Sequence, residues 1–358
     1  MSASLLHVES VGGGSGPPLV LVHGFGACNH FWRHWTPVLT RDHPVHQVEL
    51  TGFGSAPTPS GADLSPPAQA ERLVDFLDTL EGGPPVLVGH SLGAAVVLLA
   101  ALRLLDRESA DSGSGPPPAE GQGPPRGSGS GTSDGPETGG GTGTLAGSEN
   151  GGGTGALAGS ENGAGARAAQ TGDVGAGNAR ETSDDRPAGS PRPRALRGIV
   201  LISGAVYPQR LPPYLTLSRI PVVGELLLLL PPPHWALRMG IRGIVHDRST
   251  VTDSQVEGYR RPLGSWKRRR AILRAARQIR PELGRKLSPR YREIEVPTLA
   301  LWGSEDRVVP PEFAHRLAGE LPHASEVILP RVGHLPPEEA PEESLEAIRH
   351  FLVSLPTS

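Results

Sequence analysis

One serine, Ser91, stands between two glycines, Gly89 and Gly93, with an apolar run on either side. A serine hydroxyl becomes a good nucleophile when a base takes its proton, and that base needs a third group to fix its tautomer and stabilise its cation. A tight turn between a strand and a helix exposes such a serine, and small flanking residues permit the strained backbone there. The pattern predicts a nucleophile at Ser91 if the chain also supplies a base and an acid.

Candidates for the acid and the base follow late in the chain, each at the expected end of a strand. Asp306 follows the apolar run in VPTLALWGSEDRVVP, and the adjacent Glu305 is a lesser rival. The earlier run VLISGAV carries no carboxylate, which removes the main competing position. His334 follows Gly333 in VILPRVGHLPPEEAPE and completes the order Ser, Asp, His. A loop histidine is often only solvated or hydrogen-bonded, but this placement favours His334 as the base.

The segment LVLVHGFGAC offers a site for negative charge on a substrate oxygen. Its HGFG turn, at the end of a strand, can point the backbone N–H of Phe25 toward Ser91. Together with the N–H of Leu92 it would form an oxyanion hole, in which one donor typically contributes about 10²–10³ in rate. The alternative is an ordinary glycine-rich turn.

Short apolar runs alternate with amphipathic stretches, as a parallel sheet with helices on both faces requires. Helices are expected from Ser65, with Pro66 in the first turn, and from about Pro341 to Leu355. Strands are expected at residues 19–22, 45–50, 86–89, 198–203, 298–302 and 325–329. The fold class is therefore α/β.

Residues 111–194 consist largely of Gly, Ser, Pro, Thr and Ala. Such a segment buries too little apolar surface to offset its ordering entropy, so we expect a disordered low-complexity insertion. Within it, GTGTLAGSENGG is followed directly by GTGALAGSENGA. Two copies do not make a solenoid, so we interpret them as replication slippage in a tolerated loop; a flexible interaction tether is the alternative.

One core domain and a cap account for the remaining residues. Residues 1–110 and 291–358 should form the two parts of the core, with a core strand in 195–204. Residues 205–290 lack clear strands, read as helical and are punctuated by proline, which predicts a helical cap between two sheet strands.

The cap segment is strongly basic. It holds 17 Arg and Lys residues against 5 Asp and Glu residues, in a chain of net charge -3. In WKRRRAILRAARQIRPELGRK, the side chains of Arg270, Arg274 and Arg277 share one helical face. The simpler interpretation is a solvated helix packed on the core. The alternative is attraction to an anionic substrate or a weak contact with an anionic membrane surface, with VVGELLLLLP as an apolar lid contact.

With these elements assembled, the sequence resembles the α/β-hydrolase superfamily, as a capped, esterase- or lipase-like serine hydrolase. The resemblance covers about residues 1–105 and 196–358 and includes ELTGFGSA, where Glu49 and Thr51 stand in place of the family's frequent Asp and Pro. It implies the α/β-hydrolase fold and hydrolysis through an acyl-enzyme, without a cofactor. Members that open epoxides or remove halides use an aspartate nucleophile, and the serine at position 91 argues against both activities.

The leading function is cleavage of a carboxylic ester in a small-molecule substrate. Hydrolysis of a carbon–carbon bond in a diketone-like compound uses the same triad, and related enzymes also carry perhydrolase (haloperoxidase-like) activity. From another class, the chain could be a non-catalytic module that binds a small molecule on the same fold. A complete triad argues against that last alternative.

Composition and motifs limit the other classes of partner. No phosphate-binding loop or dinucleotide fingerprint is apparent, and we expect no nucleic-acid partner. His30 and His34 are four residues apart but lack the intervening glutamate of a metalloprotease helix, so we expect no metal. With one cysteine, no signal-like N-terminus and no apolar run near the roughly 20 residues that span a bilayer, we expect a soluble cytoplasmic protein.

If the insertion is a tolerated loop, deletion of residues 111–194 should leave esterase activity intact. The measurement is kcat/KM of the shortened and full-length proteins on one p-nitrophenyl ester. A large loss in a folded deletion protein would contradict the slippage interpretation.

Overall fold

The apolar runs of the sequence form a seven-stranded sheet. The structure is a computed structural model, and it describes residues 5–111, 196–210, 215–216, 219–220, 222–228, 231–280 and 282–356. The strands are β1 (His7–Val11), β2 (Leu19–Val22), β3 (Val45–Glu49), β4 (Val86–His90), β5 (Gly198–Ile202), β6 (Thr298–Gly303) and β7 (Ala324–Leu329). Their order is β1-β3-β2-β4-β5-β6-β7, and only β1 runs antiparallel to its neighbour. The six predicted strands are confirmed, and β1 is an addition to them.

Helices follow most of the strands. They are α1 (Thr36–Leu39), α2 (Pro66–Thr79), α3 (Leu92–Asp111), α4 (Val223–Leu228), α5 (His234–Arg242), α6 (Asp253–Leu263), α7 (Trp266–Gln278), α8 (Glu282–Leu287), α9 (Glu312–Glu320), α10 (Pro336–Glu339) and α11 (Pro341–Ser354). Both predicted helices are confirmed as α2 and α11, and α2 begins after Ser65 with proline at its first position. In the described ranges, none of the helices is both long enough and apolar enough to cross a bilayer.

Each face of the sheet has its own core, because successive strand residues point to opposite faces. In β2, Val20 and Val22 belong to the core that also contains the apolar faces of α2 and α3. Leu19 and Leu21 belong to the opposite core, with Trp35 and the apolar face of α11. The chain therefore has the α/β-hydrolase fold, with a mostly parallel sheet and helices on both faces.

Between β5 and β6, the described residues form the helices α4 to α8 and no strand. The segment WKRRRAILRAARQIRPELGRK begins with α7, which ends at Gln278. Ile279 has extended backbone angles, and a proline at position 281 disfavours helical backbone at the residue before it.

The predicted insertion at 111–194 lies outside the described residues, apart from its first one. Asp111 is the last residue of α3, so the helix extends one residue beyond the predicted end of the N-terminal core segment. The apolar run VVGELLLLLP, the predicted lid contact, also lies only partly within the described residues. Leu226 of α4 is 59% exposed, and the side chains of the leucines after it lie outside the description.

Candidate active site

Ser91 occupies the turn between β4 and α3 in the left-handed region, with a φ of 51°. A non-glycine residue at positive φ is strained and persists only where its surroundings fix it. Here the Ser91 N–H donates to the carbonyl of Ile202 at 2.9 Å, and the Ser91 carbonyl accepts from Ala205 N–H at 3.1 Å. Both partners belong to β5 and the loop after it, so the neighbouring strand holds the serine in place.

The two flanking glycines are required by close contacts. A Cβ at Gly89 would lie 2.6 Å from the carbonyl oxygen of Gly93, and a Cβ at Gly93 would lie 2.3 Å from the carbonyl oxygen of Val22. Distances below 3.0 Å to backbone atoms leave no room for a side chain. The two glycines of the G-x-S-x-G pattern therefore allow the turn to pack directly against β2.

The structure brings the three predicted side chains together at the carboxyl edge of the sheet. His334 Nε2 lies 3.1 Å from Ser91 Oγ, and His334 Nδ1 lies 2.8 Å from Asp306 Oδ2. All three residues are buried. Nδ1–H donates to the carboxylate, which leaves Nε2 free to accept the serine proton, as a general base requires.

Asp306 is held as a carboxylate. Burial alone would raise its pKa, but the adjacent His334 and two backbone donors outweigh burial and lower the pKa below its usual value. Those donors are the N–H groups of Val308 and Val309, at 2.8 and 2.9 Å from Oδ1. The rival acid, Glu305, is exposed. The geometry favours Asp306.

Phe25 and Leu92, the predicted oxyanion donors, flank the serine. Leu92 is the first residue of α3, where a backbone N–H has no partner within the helix. A Cβ on Gly24 would lie 3.1 Å from the Cβ of Ser91, so the turn that carries Phe25 passes directly over the serine. Among the described residues, neither N–H has a hydrogen-bond acceptor. Their role in binding an oxyanion stays a prediction.

His90, which the sequence reasoning did not single out, supports the backbone of the base. Its buried ring stacks on Phe31 with centroids 4.3 Å apart, and Nε2–H donates to the carbonyl of His334 at 2.9 Å. Burial, with help from the nearby His334, lowers the pKa of His90 to about 3, so the ring is neutral. The only sequence signal was its position beside Ser91.

Glu339 was also not identified from the sequence, and its carboxylate holds the loop that carries His334. Its Oε2 accepts from Gly333 N–H at 2.9 Å and its Oε1 from Leu335 N–H at 2.9 Å, so one carboxylate binds the residues on both sides of His334. Oε2 also accepts from His246 N–H at 2.7 Å. His246 belongs to the segment between β5 and β6, so Glu339 links that segment to the loop of the base.

The neighbouring glutamate, which is buried, joins the same two regions. Glu338 forms an ion pair with Arg33 and accepts from Gln255 Nε2 at 2.6 Å and Tyr259 O–H at 3.0 Å. Burial raises the pKa of the Glu338 carboxyl above its usual value. The Arg33 guanidinium, the Gln255 amide and the Tyr259 hydroxyl oppose that shift. Gln255 and Tyr259 lie on α6, so this network fastens α6 to the core.

His30 and His34 do not share a helical face. His30 lies in a short 3-10 helix, Asn29–Trp32, which ends before His34. The His30 ring packs against α6 instead, where a Cβ on Gly258 would meet it at 2.2 Å. Across the described part of the chain, no three His, Cys, Asp or Glu side chains are grouped as a metal site requires.

Two cavities meet at Ser91. The larger, of about 430 Å³, is lined mainly by apolar side chains of α5, α6 and α7 together with His334. The smaller, of about 90 Å³, lies on the side of Leu92 and is closed by residues near α8. An apolar cavity with a few convergent polar groups is the usual form of a small-molecule site.

The sequence profile of the alpha/beta hydrolase family matches residues 19–147 and 151–347. The chain belongs to the alpha/beta hydrolase family. An uncharacterized hydrolase, YugF, from Bacillus subtilis is 33% identical over 33% of this chain and 44% of its own length. The 2-hydroxy-6-oxo-2,4-heptadienoate hydrolase of Pseudomonas putida is 36% identical over 26% of this chain and 35% of its own length. The match thus spans less than half the length of these two relatives.

The fold of this family member is shared with solved structures over nearly the whole chain. A thermophilic esterase from Thermogutta terrifontis superposes with a TM-score of 0.61 at 21% identity, covering 98% of this chain and 94% of the esterase. At that identity, the likeness concerns the fold.

Substitution of Glu339 by Gln should slow the chemistry. The Glu339 carboxylate accepts hydrogen bonds from three backbone N–H groups, whereas an amide has only one oxygen to accept them. The His334 loop should therefore shift, and a displacement of about 1 Å can cost on the order of 10²-fold in rate. The measurement is the rate of Ser91 acylation by a p-nitrophenyl ester, well below the unfolding temperature of either protein. The control is Glu346→Gln, an exposed site on α11. An unchanged acylation rate in Glu339→Gln would contradict the positioning role.

Proposed function

We propose that this alpha/beta hydrolase is a serine hydrolase that cleaves a carboxylic ester through an acyl-enzyme. The observation that carries the proposal is the relay from Ser91 Oγ to His334 Nε2 at 3.1 Å and from His334 Nδ1 to Asp306 at 2.8 Å. A serine, an imidazole and a buried carboxylate in this arrangement have the chemistry of nucleophilic acyl transfer.

In the first half-reaction, Ser91 Oγ attacks the ester carbonyl carbon while its proton passes to His334 Nε2. The carbonyl oxygen becomes an oxyanion, which the N–H groups of Phe25 and Leu92 would bind. Asp306 stabilises the imidazolium without taking its proton. His334 then gives the proton to the leaving oxygen, the carbon–oxygen bond breaks, and the alcohol departs.

In the second half-reaction, water takes the place of the alcohol. His334 removes a proton from the water, the resulting hydroxide attacks the acyl carbon, and the proton returns to Ser91 Oγ as the acid leaves. The enzyme is regenerated without a redox step, and the proposed reaction uses the side chains of the triad and water.

The apolar walls of both cavities support an ester with hydrocarbon substituents. Carbon–carbon bond hydrolysis remains the nearest rival, since a 2-hydroxy-6-oxo-2,4-heptadienoate hydrolase is among the relatives. Perhydrolase activity would use the same serine. Rates on p-nitrophenyl esters of rising acyl length distinguish these alternatives. Negligible rates that do not change with acyl length would favour carbon–carbon cleavage or a binding module.

A fluorophosphonate probe should label the wild-type protein and leave Ser91→Ala unlabelled, because only an activated serine attacks phosphorus at a useful rate. Labelling is read by intact-protein mass. The matched control is Ser354→Ala, which removes an exposed hydroxyl at the end of α11 and should label as the wild type does. Absence of labelling in folded wild-type protein would overturn the assignment of Ser91.

A weak contact with an anionic membrane surface is a separate proposal, supported by exposed apolar and basic side chains in the cap. Trp235 and Met239 of α5 are 66% and 63% exposed, and Trp266 is 46% exposed next to the exposed Lys267 and Arg270. Tryptophan beside basic residues is typical of contacts with anionic lipid headgroups.

Co-sedimentation with phosphatidylglycerol-containing vesicles should therefore be measurable and should fall as NaCl rises, because salt screens the basic groups. Trp235→Ser should weaken it, while Val353→Ser, which removes an apolar side chain that is 86% exposed elsewhere, should not. Binding that does not respond to salt, or no binding, would remove this proposal.

A further inference from the structure

The two cavities differ in which of the proposed active-site residues line their walls. Ser91 and Phe25 line both cavities. His334 lines only the larger cavity, and Leu92 lines only the smaller one. A substrate bound at Ser91 therefore extends one substituent toward the base and the other toward the start of α3.

The direction of proton transfer determines which substituent is which. As the tetrahedral intermediate at Ser91 collapses, His334 Nε2 must protonate the leaving oxygen, so that oxygen comes within hydrogen-bond reach of the imidazole. Its alkyl group must continue into the space that His334 lines, which is the larger cavity. The acyl chain, bonded to the carbon that the oxyanion donors hold, is left with the smaller cavity beside Leu92.

Resting on the proposed ester hydrolysis, we propose that the substrate is an ester of a short acyl group with a bulky apolar alcohol. The smaller cavity has a volume of about 90 Å³. The larger cavity, at about 430 Å³, is several times roomier. An acyl chain of a few carbons fits the first, and a long or cyclic alcohol fits the second.

The linings agree with this assignment. The larger cavity is bounded by aliphatic side chains such as Leu237, Ile241 and Ile272. The smaller cavity is narrowed by Tyr207 and Tyr291, whose hydroxyls already donate to Glu320 at 2.8 Å and to the carbonyl of Val206 at 2.6 Å. These hydrogen bonds fix the rings, so the small cavity does not widen by a simple side-chain rotation.

Gly240 offers a way to fill the larger cavity alone. It lies on α5 in the cavity wall, and a Cβ added there would meet no atom within 4 Å. Gly240→Leu is therefore accommodated by the fold and adds a side chain at the wall of the larger cavity. Gly319 on α9 is a matched control, because it is also a helical glycine with open space around it and it lines neither cavity.

The test compares two isomeric esters, octyl acetate and methyl nonanoate, which have the same atoms and exchange the long chain between the two sides. Wild-type kcat/KM should favour octyl acetate by at least about 10-fold, since even one ill-fitting methylene shifts discrimination by roughly that factor. Gly240→Leu should lower kcat/KM for octyl acetate several-fold and leave ethyl acetate nearly unchanged. Gly319→Leu should match the wild type on all three esters.

The possible failures are distinct. Equal rates on the isomers, or a preference for methyl nonanoate, would overturn the assignment of the two sides while leaving ester hydrolysis at Ser91 intact. A fluorophosphonate-reactive protein that hydrolyses neither isomer would overturn the substrate class as well. A protein that neither hydrolyses these esters nor labels at Ser91 would overturn the proposed function itself.

Discussion

The left-handed backbone of Ser91 is the constraint on which the rest of the site depends. A φ of 51° at a serine is unfavourable by itself, and three features hold it: the bonds to β5, the missing side chain of Gly89 and the missing side chain of Gly93 against β2. Because β2, β4 and β5 are adjacent parallel strands, the same contacts bring the Phe25 turn and the serine to one edge of the sheet. Strain at the proposed nucleophile and the closeness of the proposed oxyanion donors thus have a common origin.

Placement of His334 is a separate matter, and it depends on carboxylates outside the triad. The carboxylate of Glu339 accepts from the backbone on both sides of His334, while Ile244 contributes its carbonyl to the His334 N–H at 2.9 Å. Glu338, one residue earlier, binds α6 through Gln255 and Tyr259. The loop of the base is therefore fixed partly by the segment that bounds the larger cavity. A substitution in that segment can change the rate as well as the choice of substrate.

Much of this site could be predicted from sequence because its signals are local. Ser91, Asp306 and His334 each follow an apolar strand and a glycine, so their positions could be inferred from strand ends and chain order. β1 was missed because it is an edge strand in which no residue is fully buried, which leaves little apolar pattern. His90, Glu338 and Glu339 were missed for another reason. Their partners include residues far away in the chain, such as Gln255 and Tyr259 for Glu338 and His246 for Glu339, and no local sequence pattern indicates such contacts.

The basic character of the cap illustrates what a charge count leaves out. Arg268 donates to the carbonyls of Phe53 and Ala56, and Arg274 donates to those of Pro59 and Ala62. These arginines join α7 to a core loop, and a guanidinium that donates to backbone carbonyls is only partly available to a substrate anion. Selection among substrates then depends less on the net charge of the cap than on the shape of the two cavities that its helices enclose. For the proposed ester substrate, the position of His334, which lines only the larger cavity, would determine which end of the ester each cavity receives.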